Sequence, residues 1–158
     1  MKEHYSFMIE ISESYKVHIV ILTWNNNKIL KRCLESIENV DHKNFTISVI
    51  DNNSSDDSLS MISENFPNVQ TIKNSKNFKF GRGYNEGLKK INVEDNDFII
   101  LLNDDTIVSR NFIDELINPL AKDQKAIIST PKILYSSNIN KIWYAGGVVD
   151  LWLSLIHI

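Results

Sequence analysis

Short apolar runs alternate with polar segments along the chain, and this alternation constrains the fold more than any other feature. β-Branched and aromatic residues dominate the runs, as is typical of strands. The runs are VHIVILT (Val17–Thr23), FTISVID (Phe45–Asp51), VQTIK (Val69–Lys73), FIILLN (Phe98–Asn103) and AIIST (Ala126–Thr130). The segments VIL and FIILL are continuously apolar, which predicts strands buried on both faces of a sheet.

Helical patterns separate these runs. Apolar residues at helical spacing predict helices around Ile29–Ile37, Leu59–Phe66 and Phe112–Leu120, and Gly87–Ile91 ends a shorter one. Strands that alternate with helices predict an α/β fold with a mostly parallel sheet flanked by helices. Residues 133–149 differ, because YSSNINK is typical of a turn and IWYAGGVV of a strand, so a hairpin is predicted there.

Length and composition indicate one globular domain without repeats or linkers. The 158 residues are enough for one core, and 42% hydrophobic with 23% charged residues is ordinary for such a domain.

No run approaches the about 18 apolar residues of a membrane span, and MKEHYSFMIEISESYK is too polar for a signal peptide. We therefore expect a cytoplasmic location, free or peripheral at the inner face of the membrane. Residues 1–16 are expected to form an added edge strand or a tail.

Charge and cysteine content exclude several classes of function. A formal net charge of −3 argues against non-specific nucleic-acid binding, which needs a basic surface. The single cysteine, Cys33, excludes an internal disulfide framework and a multi-cysteine zinc site. Cys33 shares the apolar face of a predicted helix with Ile29, Leu30 and Ile37, which favours burial over a reactive thiol.

A polar cluster follows each of the first four runs. The clusters are TWNNN, DNNSSDDS, KNSKNFKFGRG and NDDT. In an open parallel sheet the carboxyl ends of the strands share one edge, and ligands bind beyond that edge. The sequence therefore predicts a polar ligand site built from all four clusters.

The cluster DNNSSDDS suits both a nucleobase site and a turn. The Asp51 carboxylate, placed at the end of an apolar strand, could accept the N3–H of uracil or thymine. Alternatively Asp51 is an Asx-turn residue, with Ser54 or Ser55 capping the next helix. Both roles are compatible.

The cluster NFKFGRGYNEG is a candidate anion loop. Gly81, Gly83 and Gly87 permit close backbone approach before a helix, and Lys79 and Arg82 add positive charge toward a diphosphate. The alternative is that the glycines serve only a turn and a helix start, and the Gly-Lys-Ser/Thr ending of a P-loop is absent.

The cluster LLNDDT is a candidate metal site. Two adjacent carboxylates, Asp104 and Asp105, suit a hard divalent cation, Mg²⁺ or Mn²⁺, which would relieve their repulsion and neutralise a leaving diphosphate. A solvated turn, in which the second acid starts the next helix, is the alternative.

Together these motifs resemble those of the family 2 glycosyltransferases, most closely the rhamnosyltransferase-like branch. VHIVILTWNN, ISVIDNNSSDDS, NFKFGRGYNEG and FIILLNDDTIV match in order over residues 17–152. The resemblance implies a GT-A nucleotide-diphospho-sugar transferase fold with an incomplete C-terminal part. It also implies inverting transfer of a hexosyl or rhamnosyl group from a UDP- or dTDP-sugar to a saccharide or lipid-linked acceptor in cell-surface polysaccharide synthesis.

The resemblance also assigns roles to individual residues. It places Thr23 and Asn25 at the base and ribose, Asp51 at the pyrimidine N3–H, Asp104 nearer the ribose and Asp105 on the metal. Further donor-binding positions in the glycine-containing loop are Asn77, Gly81, Arg82 and Asn85. Lys79 departs from the pattern, because this branch usually has glycine there.

The catalytic base of the family is a carboxylate that deprotonates the acceptor hydroxyl, and it is expected beyond Ile158. The ending LSLIHI can be encoded by a sequencing-library adapter. We therefore expect residues 153–158 to be a non-native tail after a donor-binding domain over residues 17–152, and the natural protein to continue.

Two other functions are open at this stage. The chain could bind a nucleotide-sugar without turnover, or it could be a nucleotidyltransferase, although that class would carry a basic glycine-rich loop where this chain has TWNNNK. A dinucleotide-dependent oxidoreductase is disfavoured because no G-x-G-x-x-G follows the first strand.

Overall fold

The computed structural model describes residues 15–123, 125–150 and 155–157. The chain divides into two compact units, Met1–Asn111 and Phe112–Ile158. Most of the predicted N-terminal extension, residues 1–14, lies outside the described residues, as do residues 151–154 and 158 of the region around the predicted tail. The predicted division into residues 1–16, 17–152 and 153–158 stays a prediction.

A parallel sheet with helices between its strands forms the first unit. The strands are β1 (Val17–Thr23), β2 (Phe45–Asp51), β3 (Gln70–Lys73) and β4 (Phe98–Asn103). The helices are α1 (Asn27–Glu38), α2 (Ser58–Asn65) and α3 (Phe80–Leu88). The sheet order is β3-β2-β1-β4, and every pairing is parallel. This confirms the first four predicted strands and the α/β class.

Burial distinguishes the central strand β1 from β4. Val17, Ile19, Val20 and Ile21 of β1 have no exposed surface, which confirms the burial predicted for Val20 and Ile21 of VIL, whereas Leu22 is half-buried. In β4, alternate residues are exposed, with Ile99 and Leu101 at 45% and 56%, so the predicted burial of β4 on both faces is wrong. The reason is the position of β4 in the sheet. It is an edge strand of the described sheet, and α3 packs mainly against β1 and β2.

Helix α3 lies close to the sheet because two of its three glycines face side chains of the strands. Its Tyr84 joins Val20, Ile50 and Ile72 in a buried cluster. A Cβ added at Gly87 would lie 2.2 Å from Cδ1 of Ile50, far inside van der Waals contact. The helix can therefore approach β2 only with glycine at this position, and the approach sets the place of the loop that precedes α3.

Helix α1 buries one stripe of side chains, Leu30, Cys33, Leu34 and Ile37. Ile29 was expected on this face but is 43% exposed, because the i, i+3, i+4, i+7 stripe begins at Leu30 and leaves Ile29 at its edge. Burial raises the pKa of the Cys33 thiol to about 12, and the nearby negative charge of Asp104 adds to this effect. The prediction of a buried, unreactive cysteine is confirmed.

Among its described residues, the second unit contains helix α4 (Phe112–Lys122) and four strands. Strands β5 (Ile133–Tyr135) and β6 (Asn138–Tyr144) form the predicted hairpin, and β7 (Val148–Asp150) pairs antiparallel with β8 (Leu155–His157). No helix in the part of the chain that the structure describes is long and apolar enough to cross a membrane.

The strand predicted at AIIST is wrong. Residues 126–130 carry no strand assignment, and Ile127 and Ile128 are 86% and 78% exposed. An isolated extended segment gains little from β-branched residues, because strand preference comes from packing and from a hydrogen-bonded neighbour. Among the described residues, nothing pairs with this segment.

Candidate functional site

The ends of the parallel strands bring the predicted polar clusters to one edge of the sheet. In the strand register Thr23 lies opposite Asp51, Asp51 lies opposite Lys73, and Leu22 lies opposite Asn103. The four clusters therefore leave the sheet at nearly the same level. This confirms that TWNNN, DNNSSDDS, KNSKNFKFGRG and NDDT converge, which the alternation of strands and helices predicted.

Thr23 and Asp104 are joined across this edge. The Thr23 hydroxyl donates a hydrogen bond of 2.7 Å to Oδ2 of Asp104. Thr23 is buried, Asp104 is half-buried, and the adjacent Asp105 is exposed. The two neighbouring acids therefore occupy different environments, since one carboxylate receives a hydroxyl and the other reaches solvent, and this difference lowers the cost of placing them side by side.

Asn25 connects the loops that follow β1 and β2. Its backbone N–H donates to the Ser54 hydroxyl at 2.9 Å, and its side-chain Oδ1 accepts the Ser55 N–H at 2.7 Å. Its φ of 52° lies in the left-handed region, which asparagine tolerates better than most residues. The structure thus gives Asn25 a role in shaping the site. Its predicted contact with the base and ribose stays a prediction.

The serines after β2 do not cap helix α2, contrary to one prediction. Helix α2 begins at Ser58, and the Asp56 carboxylate accepts both the N–H and the hydroxyl of Ser58, at 3.1 and 2.6 Å. Ser54 and Ser55 lie too far before the helix and are engaged with Asn25 instead. Asp57, the residue directly before the helix, makes no side-chain capping bond, and Asp56 satisfies the free amide of Ser58 instead.

Asp51 bonds the backbone of the loop that follows it, but three residues on rather than the two of the predicted Asx turn. Its carboxylate is fully buried and accepts the Ser54 N–H at 3.0 and 3.3 Å to its two oxygens. A carboxylate has about four acceptor positions, so one shared N–H leaves capacity for a further donor. This geometry is compatible with an additional N–H from a ligand, and the nucleobase contact stays a prediction.

Asn52 organises the loop after β3, a role that the sequence reasoning missed. Its Oδ1 accepts the Phe78 N–H at 3.1 Å, and its Nδ2 donates to Asn77 Oδ1 at 2.9 Å and to the Lys79 carbonyl at 3.2 Å. Asn74 Nδ2 donates a further bond of 3.2 Å to Asn52 Oδ1. A signal was present, because Asn52 and Asn74 each directly follow a strand of the same parallel sheet.

The remaining predicted loop residues are on the surface. Asn77 belongs to the Asn52 network, but Gly81, Arg82 and Asn85 are exposed. The Arg82 guanidinium lies 4.6 Å from the centre of the Phe78 ring. A Cβ added at Gly81 would meet nothing within 4 Å, so its expected close approach involves no protein atom in the described chain.

Tyr84 is a second residue that the sequence reasoning missed. Its buried hydroxyl accepts the Leu22 N–H at 3.3 Å and donates to the Leu102 carbonyl at 2.8 Å, so it bridges the ends of β1 and β4. Burial raises the pKa of the Tyr84 hydroxyl to about 12. A tyrosine in a helix carries no motif, so only the tertiary packing reveals this role.

The acidic pair Asp104 and Asp105 fits a metal site that a bound ligand completes, rather than one formed by protein side chains alone. No group of three His, Cys, Asp or Glu side chains able to hold a cation occurs among the described residues. Mg²⁺ and Mn²⁺ sites with one or two carboxylates are completed by water and substrate phosphates. Asp105, exposed beside Asp104, therefore fits a cation held jointly with a bound diphosphate.

Comparison with protein families and curated proteins gives a consistent result. A family model described as Glycosyl transferase family 2 matches residues 18–156. A dolichyl N-acetyl-α-D-glucosaminyl phosphate 3-β-D-2,3-diacetamido-2,3-dideoxy-β-D-glucuronosyltransferase of Methanococcus voltae is 27% identical, over 82% of this chain and 48% of that protein. A GalNAc(5)-diNAcBac-PP-undecaprenol β-1,3-glucosyltransferase of Campylobacter jejuni is 26% identical, over 84% and 43%. The chain thus spans less than half the length of these relatives.

Solved structures show the same fold. S. aureus TarS, residues 1–349 in complex with UDP-GlcNAc, superposes with a TM-score of 0.60 at 20% identity, over 69% of this chain and 32% of that one. A mannosyltransferase from Pyrobaculum calidifontis, in complex with GDP-Man and Mn²⁺, gives 0.61 at 15% identity, over 75% and 41%. These similarities confirm the predicted GT-A fold.

Proposed function

The chain belongs to glycosyltransferase family 2, and from this premise we propose that it binds a nucleotide-diphospho-sugar for transfer of the sugar to an acceptor hydroxyl. One observation carries the proposal, namely the convergence of Thr23, Asp51 and Asp104 at a single edge of the sheet. Since the chain spans less than half of its curated relatives, the activity is proposed for the whole protein, with this chain as the donor-binding part.

The nucleoside end of the donor is proposed to lie beside β1 and β2. Asp51 accepts the N3–H of a uracil or thymine base, because its buried carboxylate receives only one shared N–H from the loop and retains acceptor capacity. Thr23 and Asn25 line the base and ribose, and Asp104 lies nearer the ribose. A UDP- or dTDP-sugar fits this chemistry, and the TarS structure with UDP-GlcNAc supports a uridine donor in a protein of this fold.

The diphosphate end is proposed to bind with Mg²⁺ or Mn²⁺ at Asp105. The exposed carboxylate leaves room for water and phosphate ligands, and the cation would neutralise charge on the departing diphosphate. The Mn²⁺ complex of the Pyrobaculum mannosyltransferase supports this assignment. Asn77, Gly81, Arg82 and Asn85 complete the proposed donor site.

The proposed acceptor is a lipid-linked saccharide. The names of the two curated relatives contain dolichyl and undecaprenol groups, which supports such an acceptor and a role in cell-surface polysaccharide synthesis. We propose inverting transfer of a hexosyl or rhamnosyl group, with the protein in the cytoplasm or at the inner membrane face. The rhamnosyltransferase-like branch is part of this proposal. The base that deprotonates the acceptor is a carboxylate not assigned to any described residue.

Donor binding without turnover is a second candidate for the chain by itself. The described residues form the proposed donor site, whereas the chain covers less than half of each of these relatives. Transfer assays with a panel of acceptors separate the two, because a competent transferase releases nucleoside diphosphate and forms a glycoside, while the binding part only retains donor.

Calorimetric titration of UDP- and dTDP-sugars, with and without Mn²⁺, tests the site. We expect Mn²⁺ to tighten donor binding and Asp105→Ala to weaken it in Mn²⁺ by about tenfold or more, the scale of one interaction with a charged group. Asp95→Ala is the matched control, because Asp95 is also exposed but precedes β4, at the opposite end of the strands. Equal affinity with and without metal, in wild type and Asp105→Ala alike, would show that Asp105 is not a metal ligand.

A further inference from the structure

Lys79 has a backbone conformation that lysine rarely adopts. Its φ is 65° and its ψ is −169°, a region that is occupied almost only by glycine because a Cβ is strained there. The other non-glycine residues with positive φ in the described chain, Asn25 and Asn53, are asparagines, which tolerate positive φ more readily. Lys79 is therefore the residue at this edge whose side chain conflicts with its backbone.

Two asparagine side chains hold Lys79 in this conformation. Asn77 Oδ1 accepts the Lys79 N–H at 2.8 Å, and Asn52 Nδ2 donates to the Lys79 carbonyl at 3.2 Å. Both polar groups of the Lys79 backbone are thus bonded to a network that begins one residue after Asp51. A strained residue persists only when its surroundings determine its conformation in this way.

Two further cationic side chains lie against Phe78, the residue before Lys79. Lys76 and Arg82 lie over the Phe78 ring, at 5.4 and 4.6 Å from its centre. Arg82 is 3.9 Å from the Glu86 carboxylate, whereas no carboxylate pairs with Lys79 within the described part of the chain. Lys79 is exposed, so its ammonium is available to an anion from outside.

The same edge also has an unused acceptor. Asn74 is 1% exposed, and its Oδ1 has no hydrogen-bond partner among the described residues. Asn74 and Phe78 line a cavity of about 450 Å³, beside the loop that carries Lys79. A buried acceptor without a partner is destabilising unless water or a ligand satisfies it, so this edge suits a ligand with N–H donors as well as anionic oxygens.

We propose that Lys79 is a specificity-determining residue whose ammonium binds an anionic oxygen group of the donor. Glycine would fit the backbone without strain, so the lysine side chain must contribute through its charge. The anionic group is either the diphosphate or a carboxylate on the transferred sugar. This inference rests on the proposed function, because it assigns Lys79 a role within the proposed donor site.

Three substitutions of Lys79 separate its charge from its backbone strain. Lys79→Ala removes the charge and keeps the strained Cβ, Lys79→Gly removes both, and Lys79→Arg keeps both. Each variant and wild type are titrated with uridine, UDP, UDP-GlcNAc and UDP-glucuronic acid. If the diphosphate is the partner, Lys79→Ala and Lys79→Gly weaken binding of all three diphosphates by about tenfold, leave uridine unchanged, and Lys79→Arg stays close to wild type.

If the sugar carboxylate is the partner, the same loss is confined to UDP-glucuronic acid. Thermal unfolding provides a readout of strain, and Lys79→Gly should raise Tm by about 2–4 °C while Lys79→Ala should not. Equal affinities of wild type, Lys79→Ala and Lys79→Gly for every diphosphate would overturn the inference, as would an unchanged Tm in Lys79→Gly. Failure of wild type to bind any of the four ligands or the corresponding dTDP compounds would instead refute the proposed function, and the inference with it.

Discussion

The Thr23 hydroxyl donates a hydrogen bond of 2.7 Å to the Asp104 carboxylate, although 81 positions separate the two residues in the sequence. The bond joins the ends of β1 and β4, which are neighbours in the sheet. It couples a buried hydroxyl to one of two adjacent acids, and so fixes the orientation of Asp104 while Asp105 remains exposed.

The first prediction concerns this bond. Thr23→Val keeps the shape of the buried side chain and removes the donor, so we expect a loss of about 1 kcal/mol in the free energy of unfolding. Urea denaturation measures the change. In an Asp104→Ala background the same substitution should cost less, with a coupling free energy of about 1 kcal/mol. Strictly additive effects of the two substitutions would show that the bond contributes nothing to stability.

The second prediction concerns the asparagine network. Asn52→Ala removes a buried side chain that bonds Phe78, Asn77 and Lys79 at once, so we expect a destabilisation of about 2–4 kcal/mol, because the partners are left unsatisfied. Asn53→Gly is the control, since Asn53 is exposed and has a φ of 65° that glycine accepts. Chemical denaturation should show a change within about 0.5 kcal/mol for the control. Equal effects of both substitutions would argue against the network.

The third prediction compares two glycines of helix α3. Gly87→Ala places a Cβ 2.2 Å from the Ile50 side chain and should destabilise by about 1–3 kcal/mol. Gly81→Ala enters open space and should be neutral or stabilise by up to about 1 kcal/mol, because alanine favours the helix. Thermal unfolding separates the two variants. Adding Ile50→Val should recover part of the stability that Gly87→Ala loses. If Gly87→Ala is as stable as wild type and Ile50→Val recovers nothing, α3 lies farther from the sheet than the structure shows.

The fourth prediction is a dependence of stability on pH through Asp97. The Glu94 N–H and the buried His18 imidazole bond its carboxylate, at 3.0 and 2.8 Å, and hold the pKa of Asp97 below its ordinary value of 3.8. The folded state thus favours the ionised form. Its contribution to stability is complete above the pKa of the unfolded chain and is lost as the pH falls through the lower folded-state pKa.

Urea denaturation of wild type and Asp97→Asn from pH 7 down to about pH 2.5 tests this, the lower limit being set below the ordinary carboxyl range. Wild type should be the more stable protein at pH 5–7, and the difference should shrink as the pH falls below about 4. Other carboxylates titrate in both proteins and cancel in the comparison. A difference that stays constant over the whole range would mean that ionisation of Asp97 does not contribute.

Local sequence patterns predicted most of the fold. The first four β-branched runs formed strands because each pairs with a neighbouring strand of the parallel sheet. AIIST failed because a run of similar composition found no neighbouring strand among the described residues. The error in the burial of β4 has a related cause. The apolar composition of β4 indicates that burial would stabilise it. The position of β4 in the sheet decides whether a helix covers Ile99 and Leu101.

The candidate site divides in the same way. Asp51, Asp104 and Asp105 could be found because acids at strand ends are unusual in sequence. Tyr84 could not, because its role consists of hydrogen bonds to backbone atoms of distant strands, and tyrosine is ordinary in a helix. Asn52 was missed although it directly follows a strand, because asparagine is also ordinary in a turn. The metal and nucleotide contacts of the acids remain predictions that the titrations above can test.

By itself, the sequence determined the order of strands and helices, the parallel sheet and the edge at which its polar residues meet, since these follow from periodicity and from the polarity of strand ends. Only the tertiary structure decided which of those residues touch. The bond from Thr23 to Asp104, the two asparagines that hold Lys79 and the contact of Gly87 with Ile50 each depend on distances between segments far apart in the chain. Local preference sets no such distance, because packing of the whole unit determines it.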